Sequence, residues 1–280
     1  MTMTQPFVLG AVAYDPKVVT IWEGFKEWFA SQGFAFDYVL YSNYESQVRG
    51  HFAGQCHAAW NSPLAWIEAE RLAGKQGRVA AAVAMRDSDC DLTSAIIVHR
   101  NSGISCLADL KGKRVAVGAV DSPQATLIPL QLIAEAGVTP GTDCEVIHFN
   151  VAEGKHGDHV GGERDAAKAL MASDADACCI LDFNRLLFAR EGTLPSGQTA
   201  VLAETAAFDH CNFTVLDDAP KARLDRFIEL LLGMSYDDPA VRPLLELEGL
   251  KRWLPGRVSG YDALNRAVDR TGFLDAFLAA

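Results

Sequence analysis

Short apolar runs alternate with longer amphipathic stretches along this chain. Phe7–Ala13 is a continuous apolar run of strand length. Pro16–Gln32 follows, with Val19, Trp22, Phe25 and Phe29 spaced as one apolar helical face, and Gly33 supplies a stop. The grammar then repeats. Phe34–Leu40 reads as a strand, Tyr44–Ala53 as a short helix with Val48 and Phe52 inward, and His57–Trp60 as a third strand. Ser62-Pro63 opens a helix over Leu64–Leu72, because a proline in the first turn gives up no intrahelical hydrogen bond. Arg78–Met85 is the fourth strand.

The second stretch restarts the pattern. Strands are expected at Ser94–His99, within Leu110–Gly118, and at Cys144–Phe149, Ala177–Leu181, Val201–Glu204 and Asn212–Leu216. Helices are expected after Asp121 as far as Glu135, at Asp165–Ala172, at Phe183–Arg190, and in the tail at Pro220–Met234, Pro239–Leu245 and Tyr261–Leu278. The polar, Gly-rich stretch Val151–Gly162 reads as a loop. Strand–helix alternation of this kind builds mainly parallel sheets with helices on both faces. Two such modules in series, then a helical tail, predict an α/β protein of two lobes. A single doubly wound sheet is the alternative that periodicity leaves open.

Composition narrows the partners. The 280 residues suffice for a large core, and 36 acidic against 25 basic side chains argue against nucleic acid, which requires a basic stripe. No apolar stretch approaches the roughly 18 residues of a membrane span, so no membrane insertion is expected. No Lys or Arg precedes the first apolar run, so the expectation is no signal peptide and a cytoplasmic protein, or a periplasmic one if the start of the chain has been trimmed. Seven cysteines form an odd set without CxxC spacing, which reads as free thiols in a reducing compartment. Neither a metal nor a cofactor is expected, because the zinc-ligand spacings are missing.

In open α/β sheets ligands bind beyond the carboxyl ends of the strands. That rule selects Tyr14, then Asn43, then Asn61 and Ser62, then Ser122, Gln124 and Thr126, then Asp182. Hydroxyls, amides and helix-start N–H groups suit a small anion, although each residue alone also reads as a cap or turn residue. His156 and His159 stand three apart and could act as acid and base. Arg164 near a helix start opposes the macrodipole, which points to an anionic partner, either a ligand or Asp182. Cys211 beside His210 could be nucleophile and base, but neighbours on a strand face opposite sides. Walker, G-x-S-x-G and GxGxxG motifs do not occur in the sequence.

Ser94-Ala-Ile-Ile-Val-His-Arg-Asn-Ser-Gly-Ile104 followed by Leu107-Ala-Asp-Leu-Lys-Gly-Lys-Arg-Val-Ala-Val-Gly118 resembles the phosphate/phosphonate substrate-binding proteins of ABC transporters. Ser62-Pro63-Leu-Ala-Trp66 resembles that family's Gly-Pro-x-x-Tyr segment, and Gly162-Glu-Arg164-Asp-Ala-Ala its Gly-Ser-His-Asp-Ala helix. The resemblance implies a type II periplasmic-binding-protein fold. Residues 1–94 plus 209–280 would form one lobe and 95–208 the other, joined by two hinge crossovers and closing on a small anionic solute, phosphonate- or carboxylate-like. It also implies that Trp66 replaces a ligand-contacting Tyr and that Gln124, Ala125 and Thr126 replace a Ser-Thr-Ser phosphonate cradle. Arg164 would replace a ligand His, Asp182 would stand where an acidic ligand residue is common, and His210 would lie at the return crossover. A transporter permease is the implied partner if the protein is exported, and a homodimer stays open. The alternative is a cytosolic enzyme on the same fold, a lyase, dehydratase or hydrolase acting on a small organic acid through His156, His159, Asp182 or Cys211.

Overall fold

The computed structural model describes residues 5–149 and 159–279, and the chain forms two units, each built on its own sheet. In chain order the first unit supplies β1 (Phe7–Val12), α1 (Lys17–Ser31), β2 (Phe36–Tyr41), α2 (Tyr44–Phe52), β3 (Ala58–Asn61), α3 (Pro63–Lys75) and β4 (Ala80–Arg86). The second unit supplies β5 (Ser94–His99), β6 (Arg114–Val117), α4 (Ile128–Glu135), β7 (Glu145–His148), α5 (His159–Met171), β8 (Ala177–Leu181), α6 (Asp182–Glu191) and β9 (Thr199–Glu204). β10 (Asn212–Leu216), α7 (Lys221–Leu232), α8 (Arg242–Glu248) and β11 (Trp253–Pro255) return to the first unit. α9 (Asp262–Thr271) belongs to the second unit and α10 (Asp275–Ala279) to the first.

The first sheet runs β11-β4-β10-β3-β1-β2 and the second β7-β6-β8-β5-β9. β1, β2 and β3 are parallel, while β10 enters antiparallel between β3 and β4. In the second sheet β6, β7 and β8 are parallel and β5 is antiparallel to both β8 and β9. The architecture is therefore the expected α/β type, with a reversed strand inside each sheet.

An aromatic core holds the first unit together. α1 turns Val18, Ile21, Trp22, Phe25 and Phe29 inward, while Val19 lies on the outer side at 48% exposure. Phe29 meets Phe36 at 4.8 Å and Phe227 at 5.4 Å between ring centroids. Phe213 on β10 packs on Trp60 at 4.7 Å and Trp253 at 5.2 Å. Each such pair contributes about 0.5–1.5 kcal/mol beyond its burial. A buried polar chain fixes the strand register beside these rings. Gln47 Nε2 donates to Asn61 Oδ1 (2.8 Å), Asn61 Nδ2 to Thr214 Oγ1 (2.8 Å), and Thr214 Oγ1 to Asn212 Oδ1 (2.7 Å).

Both faces of the second sheet are covered. Cys178 joins the cluster with Ile97, Ile180, Leu170 and Phe188, whereas Cys179 joins Ile96, Val98, Val115 and Ile133. The vicinal pair therefore points to opposite faces, as alternation along a strand requires.

Unit boundaries differ from the division read from the sequence in two places. The chain leaves the first unit at Cys90, not after residue 94, and Tyr261–Phe273 belongs to the second unit. The reason for the latter is α9, which buries Leu264, Ala267 and Val268 and packs against α4. Arg266 Nε reaches Glu135 Oε1 (2.9 Å), and Arg270 Nε reaches Gln131 Oε1 (2.6 Å). The single tail helix expected over Tyr261–Leu278 is interrupted at Gly272, whose φ of +63° caps α9.

Glu68 on α3 is 4% exposed, and burial, reinforced by Glu45, pushes its carboxyl up to about 8. Because its folded value lies above the ordinary 4.5, the neutral form stabilises fully at low pH and that contribution is lost as pH rises towards 8. Glu68→Gln is therefore expected to gain roughly 1–3 kcal/mol near neutrality and to flatten the pH dependence of stability across that interval. Urea unfolding at several pH values checks this, and an unchanged pH profile contradicts it.

Candidate functional site at the strand ends

In the second unit the carboxyl end of β6 runs through Gly118 into the turn that opens α4. A Cβ on Gly118 would fall 2.8 Å from that of Ala125, so only glycine lets the turn fold back this closely. Gly162 does the same for α5, where a Cβ would lie 2.8 Å from the Phe149 carbonyl oxygen. Ser122 Oγ accepts from Ala125 N–H (3.1 Å), Thr126 Oγ1 donates to the Ala119 carbonyl (2.8 Å), and Ser94 Oγ donates to the Gln124 carbonyl (2.6 Å). These bonds hold a π-helical turn over Pro123–Leu127. The Gln124 side chain is 5% exposed, and its Oε1 has no hydrogen-bond partner among the described residues. A buried polar atom in that state costs about 1–3 kcal/mol until something satisfies it.

Neighbouring charges are engaged locally. Glu163 Oε2 accepts from Leu181 N–H and Asn184 Nδ2, each at 2.8 Å. Asp182 pairs with Arg185 at 2.8 Å. Arg164 forms a fork to Glu191, 3.0 Å at each oxygen, over the Phe188 ring. The carboxylate that Arg164 forks onto is thus Glu191. The macrodipole argument fails because α5 begins at His159, which places Arg164 beyond the first turn. His156 lies outside the described residues, as does all of 150–158, and His159 is placed only as the first residue of α5.

In the first unit the carboxyl end of β4 is Arg86. Its guanidinium forks onto Asp89, with Nε to Oδ2 at 2.5 Å and Nη2 to Oδ1 at 2.9 Å. Nη1 donates to the Glu248 carbonyl (2.8 Å) and lies 3.3 Å from Glu248 Oε1, while the guanidinium covers Trp60. Burial alone would raise the Asp89 carboxyl, but Arg86 and His210 outweigh it and hold it at about 2. Burial pushes Glu248 up to about 7 despite Arg86. Burial also opposes a charge on His210, yet Cys211 and Asp89 raise it to about 10.

His210 and Cys211 are partners after all: Nδ1 lies 3.1 Å from Cys211 Sγ and 3.5 Å from Asp89 Oδ1. The expectation of opposite faces fails because both residues precede β10, in irregular backbone where alternation does not apply. Tyr14 lies just beyond β1 at 39% exposure. The other first-unit candidates have structural positions. Asn43 Oδ1 caps α2 through Ser46 N–H (2.8 Å), and Ser62 Oγ caps α3 through Ala65 N–H (3.3 Å). Asn61 is committed to the buried chain with Gln47 and Thr214, and Trp66 is 1% exposed on α3.

The sequence reading missed Arg86, Asp89, Glu248, Ser94 and Glu163. Arg86 carried a usable signal, a basic residue closing an apolar run ahead of two aspartates. Glu248 carried none, because a helix far along the chain delivers it.

The family described as ABC transporter, phosphonate, periplasmic substrate-binding protein matches residues 11–261. This chain belongs to that family. Solved structures share its fold at low identity. PhnD1 from Prochlorococcus marinus, in complex with methylphosphonate, is 15% identical with a TM-score of 0.66, covering 96% of this chain and 98% of that one. XAC2383 from Xanthomonas citri, bound to ATP, is 14% identical with a TM-score of 0.65, covering 98% of each chain. The aliphatic sulphonate binding protein SsuA from Escherichia coli is 15% identical with a TM-score of 0.58, covering 99% of this chain and 94% of that one. The fold is that of type II periplasmic binding proteins, as the resemblance implied, and family membership favours binding over catalysis.

Removing Arg86 would leave Asp89 buried without its fork. Arg86→Ala is expected to cost about 3–5 kcal/mol, and Arg86→Lys less, because an ammonium keeps the charge but not the two-point geometry. Chemical denaturation of both variants measures this, and equal losses contradict the role given to the fork.

Proposed function

We propose that this member of the phosphonate-binding family binds a small anionic organic solute reversibly, of the phosphonate or sulfonate class, and does not convert it. Family membership over 11–261 supports the class of activity. The observation that carries the local assignment is the buried Gln124 amide in the turn after β6. A glutamine terminus can turn its NH2 towards an anionic oxygen, or its carbonyl towards the hydroxyl of a monoprotonated phosphonate. The helix that follows adds a favourable dipole for negative charge.

Gln124-Ala125-Thr126 has one hydroxyl where the family's cradle has three, so amide and backbone donors would carry more of the recognition here. The catalytic alternative has less support among the described residues. Asp182 is held by Arg185, and His210 faces both Cys211 and Asp89 through the same nitrogen. A nucleophile–base–orienter relay instead uses opposite ring nitrogens. If the protein is exported, an ABC permease is its partner class. Cytoplasmic residence is the proposal drawn from the sequence, and recovery of the protein from a periplasmic fraction overturns it.

Isothermal titration with methylphosphonate, an alkanesulfonate and a simple carboxylate tests the solute class. One-to-one binding of the phosphonate or sulfonate is expected, weakened about 10–100-fold in Gln124→Ala by loss of a hydrogen bond to a charged group. Preference for the carboxylate, or affinity unchanged by the substitution, contradicts the assignment.

A further inference from the structure

Three donor atoms of different chemistry converge at the carboxyl edge of the first sheet. One carboxylate oxygen of Asp89, one ring nitrogen of His210 and Cys211 Sγ all lie within 4.8 Å of one another. Nδ1 stands 3.1 Å from the sulfur and 3.5 Å from the carboxylate oxygen. Ligand atoms around a tetrahedral zinc ion are spaced by roughly 3.3–3.8 Å, given bond lengths near 2.0 Å to nitrogen and 2.3 Å to sulfur. One ring nitrogen therefore faces both the sulfur and the carboxylate oxygen and carries at most one hydrogen for the two. A cation at their common centre would satisfy all three atoms together.

We propose that Asp89, His210 and Cys211 form a binding site for a divalent cation of the zinc class. A sulfur, an imidazole nitrogen and one carboxylate oxygen suit a borderline-soft ion and not magnesium or calcium, which take oxygen ligands. On binding, the Cys211 S–H bond breaks, its proton leaves to solvent, and the thiolate takes the metal. His210 likewise gives up its Nδ1 proton to solvent and supplies that nitrogen's lone pair, with the remaining ring hydrogen on Nε2.

The surroundings have the form of an outer ligand shell. Arg86 grips both oxygens of Asp89 and is itself held by the Glu248 carbonyl and the Trp60 face, so the carboxylate is oriented without being used up. Arg86 brings a positive charge, which Glu248 at 3.3 Å offsets once it is ionised. Asp89 and Cys211 are buried and His210 is partly exposed, which leaves a route for the ion. Three protein ligands leave one tetrahedral position for water or an added oxygen ligand. The proposal does not depend on the solute assignment.

Cobalt(II) alone, added to the full-length chain after chelator dialysis, is the probe. One equivalent is expected to give a sulfur-to-cobalt charge-transfer band and tetrahedral visible bands, both removed by zinc. Cys211→Ser is expected to abolish the charge-transfer band, and Cys106→Ser, at an exposed thiol, to leave it intact. Absence of the band from the folded native chain, or a band that survives Cys211→Ser, overturns the site. Should Cys211→Ser not fold, X-ray absorption of the zinc-loaded native chain decides. One sulfur at about 2.3 Å supports the proposal, and a shell with no sulfur or with several overturns it. Titration with methylphosphonate is read separately, so loss of metal binding and loss of solute binding are distinguishable.

Discussion

β10 is the element on which the first unit depends. It arrives only after the whole of Asp91–Phe208 has been built, yet it occupies a central place in the first sheet, antiparallel to both β3 and β4. A central strand cannot leave its neighbours' backbone groups unpaired, because an unsatisfied buried N–H or C=O is costly. The sheet is therefore incomplete until the chain returns. Phe213 fills the centre of the aromatic cluster, and the Gln47–Asn61–Thr214 chain of amides and hydroxyl fixes the register. A shift of one residue would exchange the faces of every side chain on the strand.

The reversed direction of β10 has a chemical consequence. Its amino end lies beside the carboxyl ends of β3 and β4, so His210 and Cys211 come to the same edge as Arg86. Burial gives each charge there a large effect: the Arg86 fork holds the Asp89 carboxyl low, and Cys211 and Asp89 together push the His210 imidazole up. In the second unit the corresponding edge is gentler. It is built of hydroxyl-to-backbone bonds around the turn after Gly118, with the Gln124 backbone carbonyl held by Ser94. One edge is dense in fixed charge, while the other offers neutral donors and acceptors, and it is the second that suits a solute exchanged reversibly.

Most strands and helices were legible because their apolar runs and periodic faces are strong local signals. β11 was not, since three residues give no period, and Trp253 is buried through what surrounds it. α9 was visible as an amphipathic helix, but an apolar stripe does not name its partner, and that partner proved to be α4. Site residues were legible as positions more than as roles. Asn43 and Ser62 were placed correctly at strand ends and act as helix caps, a function the same residue types serve equally well. Arg164 was misread because α5 starts well before the position that periodicity gave it, and the dipole argument turns on that boundary; His210 was misread because strand alternation was applied to two residues that stand ahead of β10.

Binding without conversion is the central claim, and native mass spectrometry of the protein incubated with a tightly bound phosphonate or sulfonate tests it most directly. The expected result is a one-to-one complex whose bound mass is that of the intact solute and stays so over hours, with the same compound recovered on denaturation. A bound or released mass that changes with time, in proportion to protein, would contradict it.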